Sequence, residues 1–291
     1  MADANHIRNP VEWSADLLKE STQVVGQVGR ALRLPGEDLS APLPEVRKID
    51  LSDIRDALTK GFSDLGAYRT DAMFLAVIYP IAGIVLAAVA LNYNMIPLVF
   101  PLASGFALIG PAAALGLYEL SRRREQGMDR TTVGSFGATH APVLGAIVLV
   151  SLLLFAIFLL WLAAAYAVYS LTLGPEPPVS IDAFLRDVFT TTSGWMMIVI
   201  GVSVGCLFAV LVLTIGVVSF PLMLDRHVGP YTAVATSVRA VAANPLPMAV
   251  WGLIVAVGLV IGSIPALAGL IVVMPLLGHS TWHLYRKVVP R

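Results

Sequence analysis

Four stretches of this chain, 72 to 118, 141 to 175, 188 to 224 and 240 to 285, contain no Asp, Glu, Lys or Arg. Apolar runs of that length leave few structural solutions. A helix rises ~1.5 Å per residue and the hydrocarbon layer is ~30 Å thick, so about 20 apolar residues cross it. Inside lipid every backbone N–H and C=O must be satisfied within the protein, which favours helices. Composition points the same way: 57% of residues are hydrophobic and 13% charged, with a mean hydropathy of +0.80, whereas soluble domains carry about 25% charged residues. The expected class is an all-α polytopic membrane protein. Nineteen basic residues balance nineteen acidic ones, so net charge gives no argument for nucleic acid, and lipids are the expected surroundings.

The first stretch is too long for one helix and is broken at Asn92, Tyr93 and Asn94, with Pro97 just beyond. It divides into spans at 73–91 and 96–117, the second of which Pro97, Pro101 and Pro111 also allow to be re-entrant. The middle stretches predict spans at 143–169 and 195–224. The last is either one long tilted helix or a hairpin turning at Gly262–Pro265, with spans at 246–262 and 265–285. Charge decides for the hairpin, because Lys and Arg accumulate in cytoplasmic loops. With six spans and both termini cytoplasmic, the inner side holds Arg55, Lys60, Arg69, Arg122, Arg123, Arg124, Arg130, Arg226, Arg239, Arg286, Lys287 and Arg291, and the outer side only Arg186. Tyr93, Trp161, Tyr166, Tyr169 and Trp195 then fall near the outer interface and Tyr118, Trp251, Trp282 and Tyr285 near the inner one. The N-terminus has acidic residues and no apolar core of signal-peptide length, and is expected in the cytoplasm.

Residues 1–45 form a cytoplasmic segment ahead of the membrane domain, 46–291. In it Asn9 caps a helix opening at Pro10 with Glu12 at the third position, and three prolines between 34 and 45 mark an extended linker. From Ser52 an amphipathic helix presents Ile54, Leu58, Phe62 and Leu65 on one face. Gly229 and Pro230 open a second, with Tyr231, Val234, Val238 and Val241 together, stopped by Asn244 and Pro245. Val133, Phe136 and His140 offer a shorter version. Each pair of spans is thus preceded by a juxtamembrane segment, which suggests three repeats of amphipathic helix plus helical hairpin. Gly201 with Gly205 and Gly258 with Gly262 place small residues where helices can pack closely, within one chain or between two. Pro80, Pro101, Pro111, Pro221 and Pro275 predict kinks. Cys206 has no partner within the chain and reads as a packing residue.

No Asp, Glu, Lys, Arg or His lies near the middle of any predicted span, where transporters and proton relays commonly carry one. Ser104, Ser151, Ser203 and Thr214 are the polar side chains available there. The ionisable groups gather instead at the predicted cytoplasmic ends: Glu119, then Asp225, Arg226 and His227, then His279, Trp282, His283 and Arg286. Three readings compete. His279 and His283 share a helix face and could ligate a metal ion with Asp225 or Glu119. They could, with Trp282 and Tyr285, anchor a helix end at the headgroups. Or they belong to a polar network locking spans two, four and six together. No nucleophile triad, phosphate loop or paired catalytic carboxylate occurs at usable spacing, so no catalytic residue and no cofactor are expected.

The segments FPLMLDRHVG, ATSVRAVAANP and PLLGHSTWHLYRKVV, with DALTKGFSDLGAYRTDAMFLAVIYPIAG and GFALIGPAAALGLYELSRRREQG upstream, resemble a prokaryotic integral-membrane family of unknown function, DUF2189. The resemblance covers about residues 46 to 289, and the first 45 look like an extension found in some members. Some members carry the label cytochrome c oxidase or its subunit I. A haem-copper catalytic subunit needs histidines within its helices, whereas His6, His140, His227, His279 and His283 all fall outside the predicted midplane. The resemblance therefore implies at most an accessory role beside an oxidase. The expected protein is a non-enzymatic accessory, assembly or scaffold component of a bacterial inner membrane, with a protein partner or a homo-oligomer. A transporter or channel for a neutral or amphipathic solute is the alternative, and a metal or haem protein using the histidines the second.

Overall fold

The computed structural model describes residues 42–67, 77–92, 95–106, 110–127, 141–265 and 267–291. The capped helix at Asn9, most of the proline-rich linker, and Val133, Phe136 and His140 lie outside them. Among the described residues every regular element is helical. They comprise α1 (Leu51–Ala67), α2 (Ile78–Asn92), a 3₁₀ turn (Ile96–Leu98), α3 (Val99–Phe106), α4 (Gly110–Ala113), α5 (Leu115–Glu125), α6 (Ala141–Thr172) and α7 (Ile181–Thr190). Then come α8 (Thr192–Gly216), α9 (Ser219–Arg226), α10 (Pro230–Ala243), α11 (Pro245–Ser263) and α12 (Leu270–Val288).

Among the described residues three helical stretches are long and apolar enough to cross a bilayer: Val143–Thr172, Thr192–Arg226 and Pro245–Ser263. They carry many large apolar side chains outward, among them Leu160 in α6, Leu207 in α8 and Val260 in α11, the arrangement expected where lipid is the solvent. The fourth predicted span, 195–224, is divided where Val217 and Val218 separate α8 from α9. Pro221 explains the division, because it has no N–H for the Val217 carbonyl and its ring crowds that turn. The Val218 N–H is satisfied by Ser237 Oγ of α10 at 3.3 Å.

The predicted span 96–117 takes a different form from a continuous helix. It consists of the 3₁₀ turn, α3, α4 and the start of α5, and Pro97, Pro101 and Pro111 sit in the opening turns of the first three. A proline is tolerated there and disruptive in an interior, so each one begins a new piece. The indole of Trp161 donates to the Pro101 carbonyl at 3.0 Å. The chain from 240 to 285 does fold as a hairpin, turning at 264–269 between α11 and α12. Gly269 makes that turn feasible: a Cβ there would stand 2.7 Å from the Gly262 carbonyl oxygen. Between α6 and α8 a helix absent from the sequence reading, α7, is capped by Ser180, whose Oγ accepts from the Ala183 N–H at 3.1 Å.

The glycine pairs lie at internal contacts. A Cβ on Gly205 would be 3.1 Å from the Trp161 ring and one on Gly258 3.3 Å from Val273, while one on Gly262 would be 2.9 Å from Leu270. Gly201 is looser, with Val168 at 4.0 Å.

The two described juxtamembrane helices keep part of the expected facing: Ile54 and Leu65 are buried and Leu58, Val234 and Val241 pack against the core, while Phe62, Tyr231 and Val238 do not. In α1 the buried residues are Ile54, Ala57, Gly61, Asp64 and Leu65, whereas Phe62 is 68% exposed. In α10 Ala233, Thr236, Ser237 and Ala240 are buried, and Tyr231 and Val238 face outward. Small side chains let backbones approach, so Ala57, Gly61, Ala233 and Ala240 join the contact faces, in α1 alongside Ile54 and Leu65.

Segment 46–50 is tied to the membrane domain by Asn244. Its Oδ1 accepts from the Ile49 N–H at 2.8 Å, and its Nδ2 donates to the Arg47 carbonyl at 3.1 Å and the Ala240 carbonyl at 3.0 Å. Asn244 is buried. Asn244→Ala leaves the Ile49 donor and two carbonyls without that partner and is expected to cost about 2 kcal/mol. Thermal unfolding in detergent measures the loss, and limited proteolysis should find the segment before α1 newly accessible.

Candidate functional site

The buried charge of the described molecule collects where α1, α5, α9 and α12 meet. α12 is the organising element. Gly61 of α1 crosses it at Ser280, so closely that a Cβ on Gly61 would lie 2.0 Å from Ser280 Oγ, and Leu117 of α5 packs against Gly278. These approaches bring Asp64, three residues after Gly61 and on the same face, into the gap between α5 and α12.

Asp64 is the centre of the first cluster, its side chain only 5% exposed. Oδ1 accepts from Arg124 Nη1 at 2.6 Å, and Oδ2 accepts from Ser121 Oγ at 2.5 Å and from His283 Nε2 at 2.8 Å. Ser121 Oγ also lies 2.8 Å from His279 Nδ1. Serine has one proton; donated to Asp64, it leaves the oxygen to accept from His279 Nδ1–H. Burial pushes the Asp64 carboxyl up, but the bonds from His283 and Ser121 and the charges of His283 and His279 outweigh it, and the net shift is below the ordinary carboxylate value.

A second cluster surrounds Arg286. Its Nε donates to Glu125 at 3.2 Å and its Nη1 to Asp225 at 3.2 Å. Glu125 also accepts from the Trp282 indole at 3.1 Å and from Arg291 at 3.0 Å. Asp225 also accepts from the Tyr285 hydroxyl at 2.7 Å, and Arg226 donates to the Pro290 carbonyl. Trp282 and Tyr285 stack at 5.5 Å between centroids. On the outer side of α1, Lys287 meets Asp53 at 3.2 Å and Asp56 at 2.8 Å.

His279, Trp282 and Tyr285 of α12 are enclosed by protein, and His283 is only partly exposed. His279 is 0% exposed and Trp282 and Tyr285 1% each, because α1 and α5 cover that half of the helix. The four metal candidates are divided. His279 and His283 converge on the Asp64 cluster, Asp225 belongs to the Arg286 cluster, and Glu119 is held on its own helix by Arg122 Nε and Arg123 Nε, both at 2.7 Å. Among the described residues no group of three or more His, Cys, Asp or Glu is disposed to hold a metal ion. His227 closes α9 in the left-handed region with φ 54°.

Asp64, Ser121 and Glu125 are the members that sequence reasoning missed. One signal was available for the first: a carboxylate in line with Ala57 and Gly61, on the small-residue face of a helix that otherwise alternates charge and apolar bulk. Ser121 and Glu125 gave none, lying within a run of arginines that reads as solvated.

Residues 99–225 match the model of a family described as predicted integral membrane protein (DUF2189). This segment is similar to that family. The DUF2189 match takes in α3 to α9 up to Asp225, and with them Glu119, Ser121, Arg124 and Glu125. The two elements that complete the network, α1 and α12, lie outside the matched DUF2189 segment, although the resemblance read from the sequence extends over both. No curated protein and no solved structure matches the chain.

Proposed function

We propose that this protein is a non-enzymatic, multi-pass component of a bacterial inner membrane, acting as an accessory, assembly or scaffold subunit. It has six spans with both termini in the cytoplasm, and α1 and α10 are the juxtamembrane helices of the first and third of three hairpin units. A place beside a respiratory oxidase suits it as well as any other membrane complex, and its partner is a protein or a second copy of itself.

The observation that carries the reading is the separation of charge from the apolar helices. The buried Asp64 carboxylate and the Arg286 cluster sit at one end, joining α1, α5, α9 and α12 into one body, and the positive-inside rule places that end in the cytoplasm. No Asp, Glu, Lys, Arg or His lies within Val143–Thr172 or within the apolar part of the next stretch before Asp225. An ion- or proton-coupled path would call for such a group at depth. A cross-braced end with exposed apolar helices around it suits a rigid docking platform better.

Tagged protein extracted in mild detergent from native membranes at endogenous expression is expected to bring down stoichiometric membrane subunits, identified by mass spectrometry. Recovery of the chain alone would overturn the accessory reading and move the weight to transport.

A further inference from the structure

A cavity of ≈ 440 Å³ opens between α1, α5 and α12, within the range of sites for small ligands. Its walls carry four cations, Lys60, Arg124, Arg286 and Lys287, against two carboxylates, Asp64 and Glu125, and no apolar side chain lines it. We propose that this cavity binds a phosphate-bearing anion, either the headgroup of an anionic lipid or a soluble phosphate ester.

The hydrogen-bond inventory of the walls supports an acceptor-rich occupant. Both carboxylates are engaged: Asp64 accepts three bonds, from Arg124, Ser121 and His283, and Glu125 accepts from Trp282, Arg286 and Arg291. The cations keep donors to spare. Lys60 has three ammonium protons and one ion-pair partner, Asp56 at 3.0 Å. Arg124 has five guanidinium protons and spends them on Asp64 and on Ser63 at 3.2 Å.

Asp53, Asp56 and Asp225 pair with Lys60, Lys287 and Arg286 from behind the wall without lining it, so the face turned to the cavity is one of cationic donors beside two carboxylates that are already engaged. Arg presents a planar fork to phosphate oxygens and Lys a point charge, so the wall offers both modes of contact. The cavity lies beside the C-terminal ends of α5 and α12, where the chain leaves its apolar segments, so a headgroup can reach it from the bilayer and an ester from the cytoplasm. This assignment rests on the orientation proposed above only for the origin of the ligand.

The test uses the full chain in nanodiscs of phosphatidylcholine. Glycerol 3-phosphate is titrated calorimetrically, and retention of phosphatidic acid against phosphatidylcholine is read by native mass spectrometry. Saturable binding of glycerol 3-phosphate identifies a soluble ester, and selective retention of phosphatidic acid without it identifies a headgroup. In either case the K60Q/K287Q double variant should bind about tenfold more weakly or worse, the loss of one charge-assisted hydrogen bond or more. Lys60 is 52% exposed and Lys287 27%, and an unchanged melting temperature certifies the fold of the variant. Should the double variant unfold, K60Q alone carries the comparison, with a loss of about threefold expected. Binding of neither probe, or variant affinity equal to wild type, overturns the proposal. Co-purification of partners is unaffected by either result, so this failure is distinct from failure of the accessory reading.

Discussion

Asp64→Asn should destabilise the folded protein by about 3 kcal/mol, the low end for breaking a buried charge pair, because Arg124 is partly open to solvent at 39% exposure. The change is nearly isosteric, so packing is preserved and the loss is chemical. An asparagine oxygen can still accept from Arg124, but its amide would then point N–H groups at Ser121 and His283, which are donors themselves. Ser121 would need to reverse its proton toward His279, and His283 Nε2–H would lose its acceptor in a site where the ring is only 15% exposed. Thermal unfolding in detergent, followed by near-ultraviolet circular dichroism of the tryptophans, measures the effect. The acid limb adds a second readout. The folded-state pKa of Asp64 is depressed, so its stabilising contribution is present above the ordinary carboxylate pKa and is lost as pH falls through the lowered value. Wild type should lose stability across that window and Asp64→Asn should be flatter there. An Asp64→Asn protein as stable as wild type at neutral pH, with an unchanged acid limb, would remove Asp64 from the centre of the network.

Gly61→Ala is the second large effect, expected at about 3 kcal/mol, the upper end for overpacking a close contact. The added Cβ would stand 2.0 Å from Ser280 Oγ, 2.7 Å from Ser280 N and 2.9 Å from Ser280 Cα. A serine hydroxyl can swing away; the backbone of α12 cannot. The helices must separate, and with them Asp64 moves from His283 and Lys287 from Asp53 and Asp56. Ser280→Gly in the same chain removes the side-chain part of the clash and leaves the backbone part. The double variant should therefore recover some of the loss and not all of it, and the coupling in the cycle measures how close the helices run. Full tolerance of Gly61→Ala alone would show that the crossing is looser than its geometry here.

The reach of sequence reasoning differs from element to element. The start of α10 at Gly229 and Pro230, its stop at Asn244, and the break between α11 and α12 were legible, because capping, proline and turn chemistry act within a few residues. For 96–117 the apolar content argued for a span and the three prolines for breaks, so the sequence left a full span and a re-entrant segment both open. The facing of α1 and α10 was legible in part: Ile54 and Leu65 are buried as the pattern expects, while Phe62, Tyr231 and Val238 are exposed. An amphipathic pattern says which side is apolar, and in water that side packs on the core. Here Phe62 and Tyr231 are exposed, and close helix contact takes in Ala57, Gly61, Ala233 and Ala240 for their size.

The candidate site was half legible. The gathering of Asp225, His279, His283 and Arg286 at chain positions that end apolar runs followed from the cost of placing charge in hydrocarbon, a rule that operates on each residue alone. Their division into two clusters did not follow. His283 meets Asp64 across 219 residues of sequence and Tyr285 meets Asp225 across 60, and no local pattern records which distant helix will stand beside α12.

By itself the sequence determined the solvent of this protein, its helical class and the ends at which charge collects, because the lengths of its apolar runs and the solvation of ionic groups are properties of short segments. Only the tertiary structure decided which carboxylate each histidine and arginine would meet. That choice depends on the distance between helix axes, which is set by single small residues such as Gly61 and Gly278 at crossings the chain order does not reveal.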